Sequence, residues 1–204
     1  MPDRVTHWET LYASRLTQEV SWYQIRPETS LRLMAQLGIQ SDDPVIDVGG
    51  GASTLVDHLL DRGYSRVTVL DIAASALAAV QERLGPGAAR VIWLTGDITR
   101  LTLPGPYRLW HDRAVFHFLT EAADRQAYLA ALYAAVPIGG FVILATFADD
   151  GPERCSNLPV CRYSPEQLAA EVGPGFTMIA ATRETHYTPA QKEQKFSYAG
   201  FRRG

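Results

Sequence analysis

Asp47, Gly49, Gly50, Gly51 and Asp71 have the types and the spacing to hold a ligand that carries an adenosine. Glycines lack Cβ atoms, so the backbone there turns sharply and comes close to a ligand, and the start of a following helix offers unpaired N–H groups. Asp71 lies 71 − 49 = 22 residues beyond the first glycine, near the spacing of about 20 at which an acidic residue closing a second strand binds ribose hydroxyls. The competing reading is a glycine-rich turn that binds nothing. A dinucleotide fingerprint wants a further glycine where this chain has Thr54, and here a carboxylate, Asp47, stands two residues before the first glycine. A carboxylate at that point repels a pyrophosphate and accepts hydrogen bonds from an ammonium group or a water-bridged amino acid.

The elements that must position these residues follow from hydrophobic period. Val45–Val48 is a short β-branched run that predicts a buried parallel strand. A helix follows, capped by Ser53 or Thr54, striped by Leu55, Val56, Leu59 and Leu60, and closed at Arg62-Gly63. Residues 67–70 form the second strand, with Asp71 at its end. A helix over 73–84 stops at Gly85-Pro86-Gly87, and strands at 91–94 and 107–110 lead into Asp97 and into His111-Asp112-Arg113. The helix at 124–135 and the almost wholly apolar strand at 141–147 come next. Ser164-Pro165 opens a helix to about 172, and 176–182 and 196–202 read as a final pair of strands joined by a turn.

The pattern predicts an α/β fold: a Rossmann-like, doubly wound sheet of seven strands, mostly parallel, ending in an antiparallel C-terminal hairpin. We expect one domain over 1–204, a helical segment (1–43) preceding the core (44–204). Trp8, Leu11, Tyr12 and Leu16 have helical spacing, as do Ser30, Leu31, Met34, Ala35 and Leu37 behind Pro27. Trp22 and Tyr23, between those helices, either belong to a lid that excludes water or pack on the sheet edge.

With 204 residues, 47% of them hydrophobic, the chain can bury a sizeable core. Its formal net charge of −3 gives no basic footprint, so nucleic acid is not an expected partner. No apolar run approaches the roughly 20 residues of a membrane helix, and the polar start MPDRVTHWETLY lacks a secretory core, which predicts a cytoplasmic protein. Cys155 and Cys161 are too few for a disulfide framework; they either bind a soft ion, serve redox control or are small buried residues. No metal-ligand spacing of recognised type occurs.

Asp47-Val48-Gly49-Gly50-Gly51 matches an acidic residue, any residue, then GxG. With Asp71, Asp97, the polar end of the fourth strand and Gly139-Gly140 before the fifth, the chain from about 44 to 203 resembles the class I S-adenosylmethionine-dependent methyltransferases. The resemblance implies S-adenosylmethionine as cofactor, S-adenosylhomocysteine as product, and a small-molecule methyl acceptor or a protein side chain as partner. It implies cofactor contacts at Asp47, Gly49, Gly50, Gly51, Asp71, Ile72, Asp97, Ile98 and His111, with Trp22 and Tyr23 from the lid. Asp97 then binds the adenine amino group; alternatively it caps the turn at Ile98-Thr99.

At the fourth strand end, His111 and Asp112 are expected to line the methyl-transfer cleft, either one the base where the acceptor must lose a proton, with Arg113 orienting an acidic group. His117 reads as structural. Arg108 departs from the family, which often has an acidic residue there. The asparagine/aspartate-proline-proline-aromatic motif of enzymes that methylate nucleobase amino groups is missing. Two other classes stay open: a nicotinamide-dependent oxidoreductase, which needs glycine at Thr54, and a non-catalytic S-adenosylmethionine-binding protein.

Overall fold

A computed structural model describes residues 3–14 and 17–204; Leu16, expected in the first helix, lies outside them. The chain runs α1 (Arg4–Ser14), α2 (Glu28–Gln36), β1 (Val45–Val48), α3 (Leu55–Asp61), β2 (Val67–Asp71), α4 (Ala74–Leu84), β3 (Val91–Thr95), β4 (Leu109–Arg113), α5 (Ala122–Ala135) and β5 (Phe141–Phe147). A two-stranded hairpin, β6 (Arg154–Cys155) and β7 (Leu158–Pro159), precedes α6 (Pro165–Val172), β8 (Phe176–Tyr187) and β9 (Glu193–Arg203). The main sheet has seven strands in the order β3-β2-β1-β4-β5-β9-β8. β1 to β5 pair in parallel, and β9 is antiparallel to both β5 and β8. The chain leaves β1 in one direction and returns to β4 on its other side, so the switch point of the topology falls between β1 and β4.

Strand alternation sorts side chains into two apolar layers. Val45, Val67, Val69, Leu109 and Ile143 face α2, α3 and α4, where Leu31, Leu33, Met34, Leu55 and Leu59 cover them. Ile46, Val48, Leu70, Trp110, Val142 and Leu144 face α5 and α6. α3 starts where Leu55 N–H donates to Ser53 Oγ at 3.0 Å. α6 opens on a reciprocal cap between Ser164 and Gln167 with Pro165 in its first turn.

Three strands, β4, β8 and β9, differ from the sequence expectation by more than a residue. β4 occupies Leu109–Arg113 rather than 107–110, so His111, Asp112 and Arg113 lie inside the strand and alternate faces instead of following it. β8 and β9 run on to Tyr187 and from Glu193, leaving only the turn closed by Thr188 N–H to the Lys192 carbonyl at 2.9 Å. The polar stretch read as a turn is a continued ladder that pairs Arg183 with Ser197 and His186 with Gln194.

On the α5 face, Trp110 Nε1 donates to the Tyr128 hydroxyl at 2.8 Å, and that hydroxyl donates to Asp112 Oδ2 at 2.6 Å. Tyr128→Phe removes both bonds and leaves an indole N–H unpaired in a fully buried layer. We predict a loss of about 1–3 kcal/mol in unfolding free energy, measured from denaturant midpoints; a loss under about 0.5 kcal/mol refutes the role assigned to this hydroxyl.

Candidate active site

The glycine turn after β1 closes against two carboxylates. Gly49 has φ +73°, and a Cβ on it would lie 2.0 Å from Val115 Cγ2. A Cβ on Gly50 would lie 2.5 Å from Asp47 Oδ2, and one on Gly51 would lie 2.6 Å from Asp71 Oδ2. The glycines therefore make room for the carboxylates beneath them.

Asp71, at the end of β2, is 5% exposed. Its Oδ2 accepts from Gly51 N–H at 3.0 Å and its Oδ1 from Ala73 N–H at 2.9 Å. Burial pushes its pKa up to about 6 against those bonds, and neighbouring Asp47 adds to the rise. Asp47 is the cross-strand partner of His111 in the β1/β4 pair. Its Oδ1 lies 2.7 Å from His111 Nδ1, and the ring's Nε2 lies 2.9 Å from Ser30 Oγ on α2. Asp47 Oδ2 is buried with no partner.

Arg113, at the end of β4, is clamped from three sides. Nε donates to the Tyr198 hydroxyl at 2.9 Å, Nη1 to the Trp22 carbonyl at 3.0 Å, and Nη2 lies 3.5 Å from Glu184. Its guanidinium covers the Phe196 ring at 4.3 Å. The turn beyond it puts Ala114 at φ +72°, a conformation that costs a residue with a Cβ.

α1 roofs the site. Trp8 meets Trp22 and Phe118 edge-on, with ring centroids 5.8 and 5.0 Å apart, and Tyr12 meets Trp22 at 6.1 Å. Arg4 pairs with Asp97 and Asp124. Glu9 accepts from Ala74 and Ser75 N–H at 2.6 and 3.3 Å, capping α4 where Ala73 has no side chain able to do so. Those bonds, with that of the Ser75 side chain first, hold the Glu9 pKa below its usual value.

Beneath this roof lies a cleft of about 740 Å³ that brings together Trp22, Gly49, Asp71, Ile72, Asp97, Ile98 and Arg113. A second cavity of about 410 Å³, sharing Trp22, Gly49 and Arg113 with the first, is lined by Tyr23, Ser30, Asp47 and His111. Gly50 and Gly51 line neither; they seat the carboxylates behind the wall. His111 was expected in the methyl-transfer cleft and instead faces the second cavity, both ring nitrogens engaged.

Asp112 is corrected outright. It is fully buried on the opposite face, accepting from Val115 and Phe116 N–H and from Tyr128, and it pins the turn after β4. Burial pushes its pKa up to about 6 despite those bonds. Asp97 caps the turn, its Oδ1 accepting from Thr99 N–H at 2.9 Å, and the residue also lines the cleft. His117 is buried between Phe118 and Phe147, its Nδ1 accepting from Phe147 N–H, and its pKa falls to about 3 through burial and then the charge of Arg113.

Sequence reasoning did not assign Arg4, Phe118, Cys155 or Ser30 to the site. Trp8 and Tyr12, one helical turn apart, were legible only as a helix face. Cys155 lines the cleft as a free thiol, pushed up to about 11 by burial. Among the described residues no three His, Cys, Asp or Glu side chains cluster as metal ligands, and no helix is long and apolar enough to cross a membrane.

A family model described as a methyltransferase domain matches residues 45–140, the stretch that builds β1 to β4 and both carboxylate seats. With the seven-stranded fold around it, that match supports a class I S-adenosylmethionine-dependent methyltransferase, an enzyme. It is similar to the eEF1A lysine and N-terminal methyltransferase of Bos taurus, 29% identical over 49% of this chain but only 14% of that protein's length. It is also similar to human EEF1A lysine methyltransferase 2, 22% identical over 95% of this chain and 79% of the relative. Its fold matches the Burkholderia thailandensis 1,6-didemethyltoxoflavin-N1-methyltransferase bound to 1,6-didemethyltoxoflavin and S-adenosylhomocysteine. The TM-score is 0.70, at 21% identity, over 98% of this chain and 87% of that one.

The raised pKa of Asp71 has a stability consequence. A carboxyl whose folded pKa, about 6, exceeds its unfolded value of 3.8 binds its proton more tightly in the folded state. Its contribution to stability is full below the unfolded pKa and is lost as pH rises through about 6. We predict that Asp71→Asn, relative to the parent chain, flattens the rise in ligand-free stability between pH 7.5 and 4 by about 2–3 kcal/mol, read from denaturant titrations at each pH. Parallel pH profiles of the two proteins would contradict it.

Proposed function

We propose that this chain transfers the sulfonium methyl group of S-adenosylmethionine to a small-molecule nucleophile, releasing S-adenosylhomocysteine. The observation that carries the reading is the pair of buried carboxylates, Asp47 and Asp71, under the glycine turn, with Asp47 Oδ2 unpartnered. Two adjacent carboxylates favour a ligand with positive charge and oppose the pyrophosphate of a dinucleotide. When bound, S-adenosylmethionine supplies a methyl group made electrophilic by its sulfonium.

In this reading Asp71 accepts from the ribose hydroxyls, held in place by Gly51 and Ala73 N–H. Asp97 faces the adenine amino group, with Ile72 and Ile98 flanking the base, and Asp47 Oδ2 takes the ammonium of the amino-acid end. Trp8, Tyr12, Trp22 and Phe118 exclude water, and their faces suit a sulfonium. Arg113 has its charge balanced by Glu184, so it shapes the wall between the two cavities rather than attracting an acidic acceptor. His111 has no free nitrogen to act as base, which suits in-line transfer to a nucleophile that needs none.

The cleft has to hold cofactor and acceptor together, and a roof closed by α1 favours a small acceptor. The described part of residues 1–43 serves as that roof over a core from 44 to 204, in a cytoplasmic enzyme that keeps its thiols free. A second reading, transfer to a lysine side chain, is favoured by the names of the two sequence relatives.

Titration calorimetry tests the cofactor: S-adenosylmethionine and S-adenosylhomocysteine are expected to bind in the micromolar range and NAD not at all. NAD binding alone would overturn the proposal. Asp71→Ala is expected to weaken cofactor binding by about 1.5–3 kcal/mol, and unchanged affinity in a folded variant removes the ribose assignment. Labelled methyl transfer to a panel of small thiols, amines and carboxylates, run beside eEF1A protein, separates the acceptor classes. Turnover on the protein alone selects the second reading, and tight cofactor binding without turnover on either marks a non-catalytic binder.

A further inference from the structure

We propose that Ser30 and His111 are positioning residues, members of a buried hydrogen-bond chain that turns Asp47 so that Oδ2 alone faces the cofactor's ammonium group. The proposal rests on the cofactor reading above. It assigns a task to His111 that the methyl-transfer cleft does not provide.

The chain has a direction. An ionised carboxylate carries only acceptors, so Asp47 Oδ1 takes the proton of the ring nitrogen it faces. Ser30 Oγ then donates to His111 Nε2 at 2.9 Å, and Nδ1–H donates to Asp47 Oδ1 at 2.7 Å. The carboxylate places the imidazole proton on Nδ1, and the chain ends on one carboxylate oxygen.

Backbone register places the last two members. Asp47 and His111 are paired residues of neighbouring parallel strands, pointing to the same face. Ser30 comes down on them from the first turn of α2. All three are at most 2% exposed, and they line the cavity of about 410 Å³. Asp47 Oδ2 is the oxygen left over, buried and without a partner. Gly50 leaves it room, since a Cβ there would lie 2.5 Å away.

The set has the composition of a nucleophile, a base and an orienting acid, but Ser30 is wholly buried. The arrangement instead acts on the carboxylate: with Oδ1 held by His111, the group cannot rotate away, and an ammonium meets one aimed oxygen.

The test compares two ligands by calorimetry: S-adenosylhomocysteine, and 5′-methylthioadenosine, which keeps the nucleoside and thioether but has no amino acid. The variants are Ser30→Ala, His111→Asn and His111→Gln. An Asn amide nitrogen stands near the position of Nδ1 and restores a donor to Asp47; that of Gln stands near Nε2 and does not. S-adenosylhomocysteine is expected to bind about tenfold more weakly to His111→Gln, within about threefold of the parent to His111→Asn, and about threefold to tenfold more weakly to Ser30→Ala. Methylthioadenosine affinity is expected to stay within about twofold throughout. Equal losses for both ligands would assign these residues to general stability and overturn the proposal, as would unchanged S-adenosylhomocysteine affinity in His111→Gln. Where methylthioadenosine binds too weakly to titrate, the contrast between Asn and Gln decides alone. A parent chain that binds neither nucleoside overturns the cofactor reading itself, a result distinct from the variants' failure.

Discussion

Desolvation of two neighbouring carboxylates is the constraint on which the site is built. Asp47 and Asp71 sit on adjacent strands, at most 5% exposed, and Asp47 raises the cost of charging Asp71. An isolated buried carboxylate would simply take up a proton. Here donors are brought to it: Gly51 and Ala73 N–H to Asp71, and the imidazole of His111 to Asp47. The glycine turn is part of that supply, for a side chain at 50 or 51 would occupy the place where a carboxylate oxygen now lies. What stays uncompensated is a negative potential at the carboxyl ends of the central strands, where open α/β sheets place their ligands.

β4 divides its duties by alternation. His111 and Arg113 turn toward the cleft, while Asp112 between them turns to the other layer and holds the chain's exit from the sheet through Val115, Phe116 and Tyr128. Ala114 then takes the left-handed conformation that carries the chain past Gly49. Binding wall and structural peg are consecutive residues of one strand, a separation made possible only by the two faces of the sheet.

Much of this was legible in the sequence. Val45–Val48 and the run at 141–147 announce themselves as buried strands because apolar, β-branched residues leave no other use for the segment, and the Ser164-Pro165 helix start is written in its first four residues. Asp71 and the glycines were found by spacing. β4 was misread because Asp47, Ser30, Tyr128 and Tyr198 satisfy its polar residues from far along the chain, so a locally polar tripeptide is buried strand. The longer β8/β9 ladder was hidden for the same reason: His186 is buried against the Ser21 carbonyl, and Gln194 beside it. The contacts that seat α1, Arg4 with Asp97 and Glu9 with Ala74, join residues 93 and 65 positions apart and leave no local signature.

α1 contributes no fully buried residue of its own. Besides its aromatic contacts, it is fastened by ion pairs and by a carboxylate on a helix terminus, with Arg4 one-third exposed. Attractions of that kind are screened over about 8 Å at physiological ionic strength, while the apolar layers under the sheet are indifferent to it. The grip of the cleft on its contents is thus coupled to the ions of the surrounding solution in a way the rest of the fold is not.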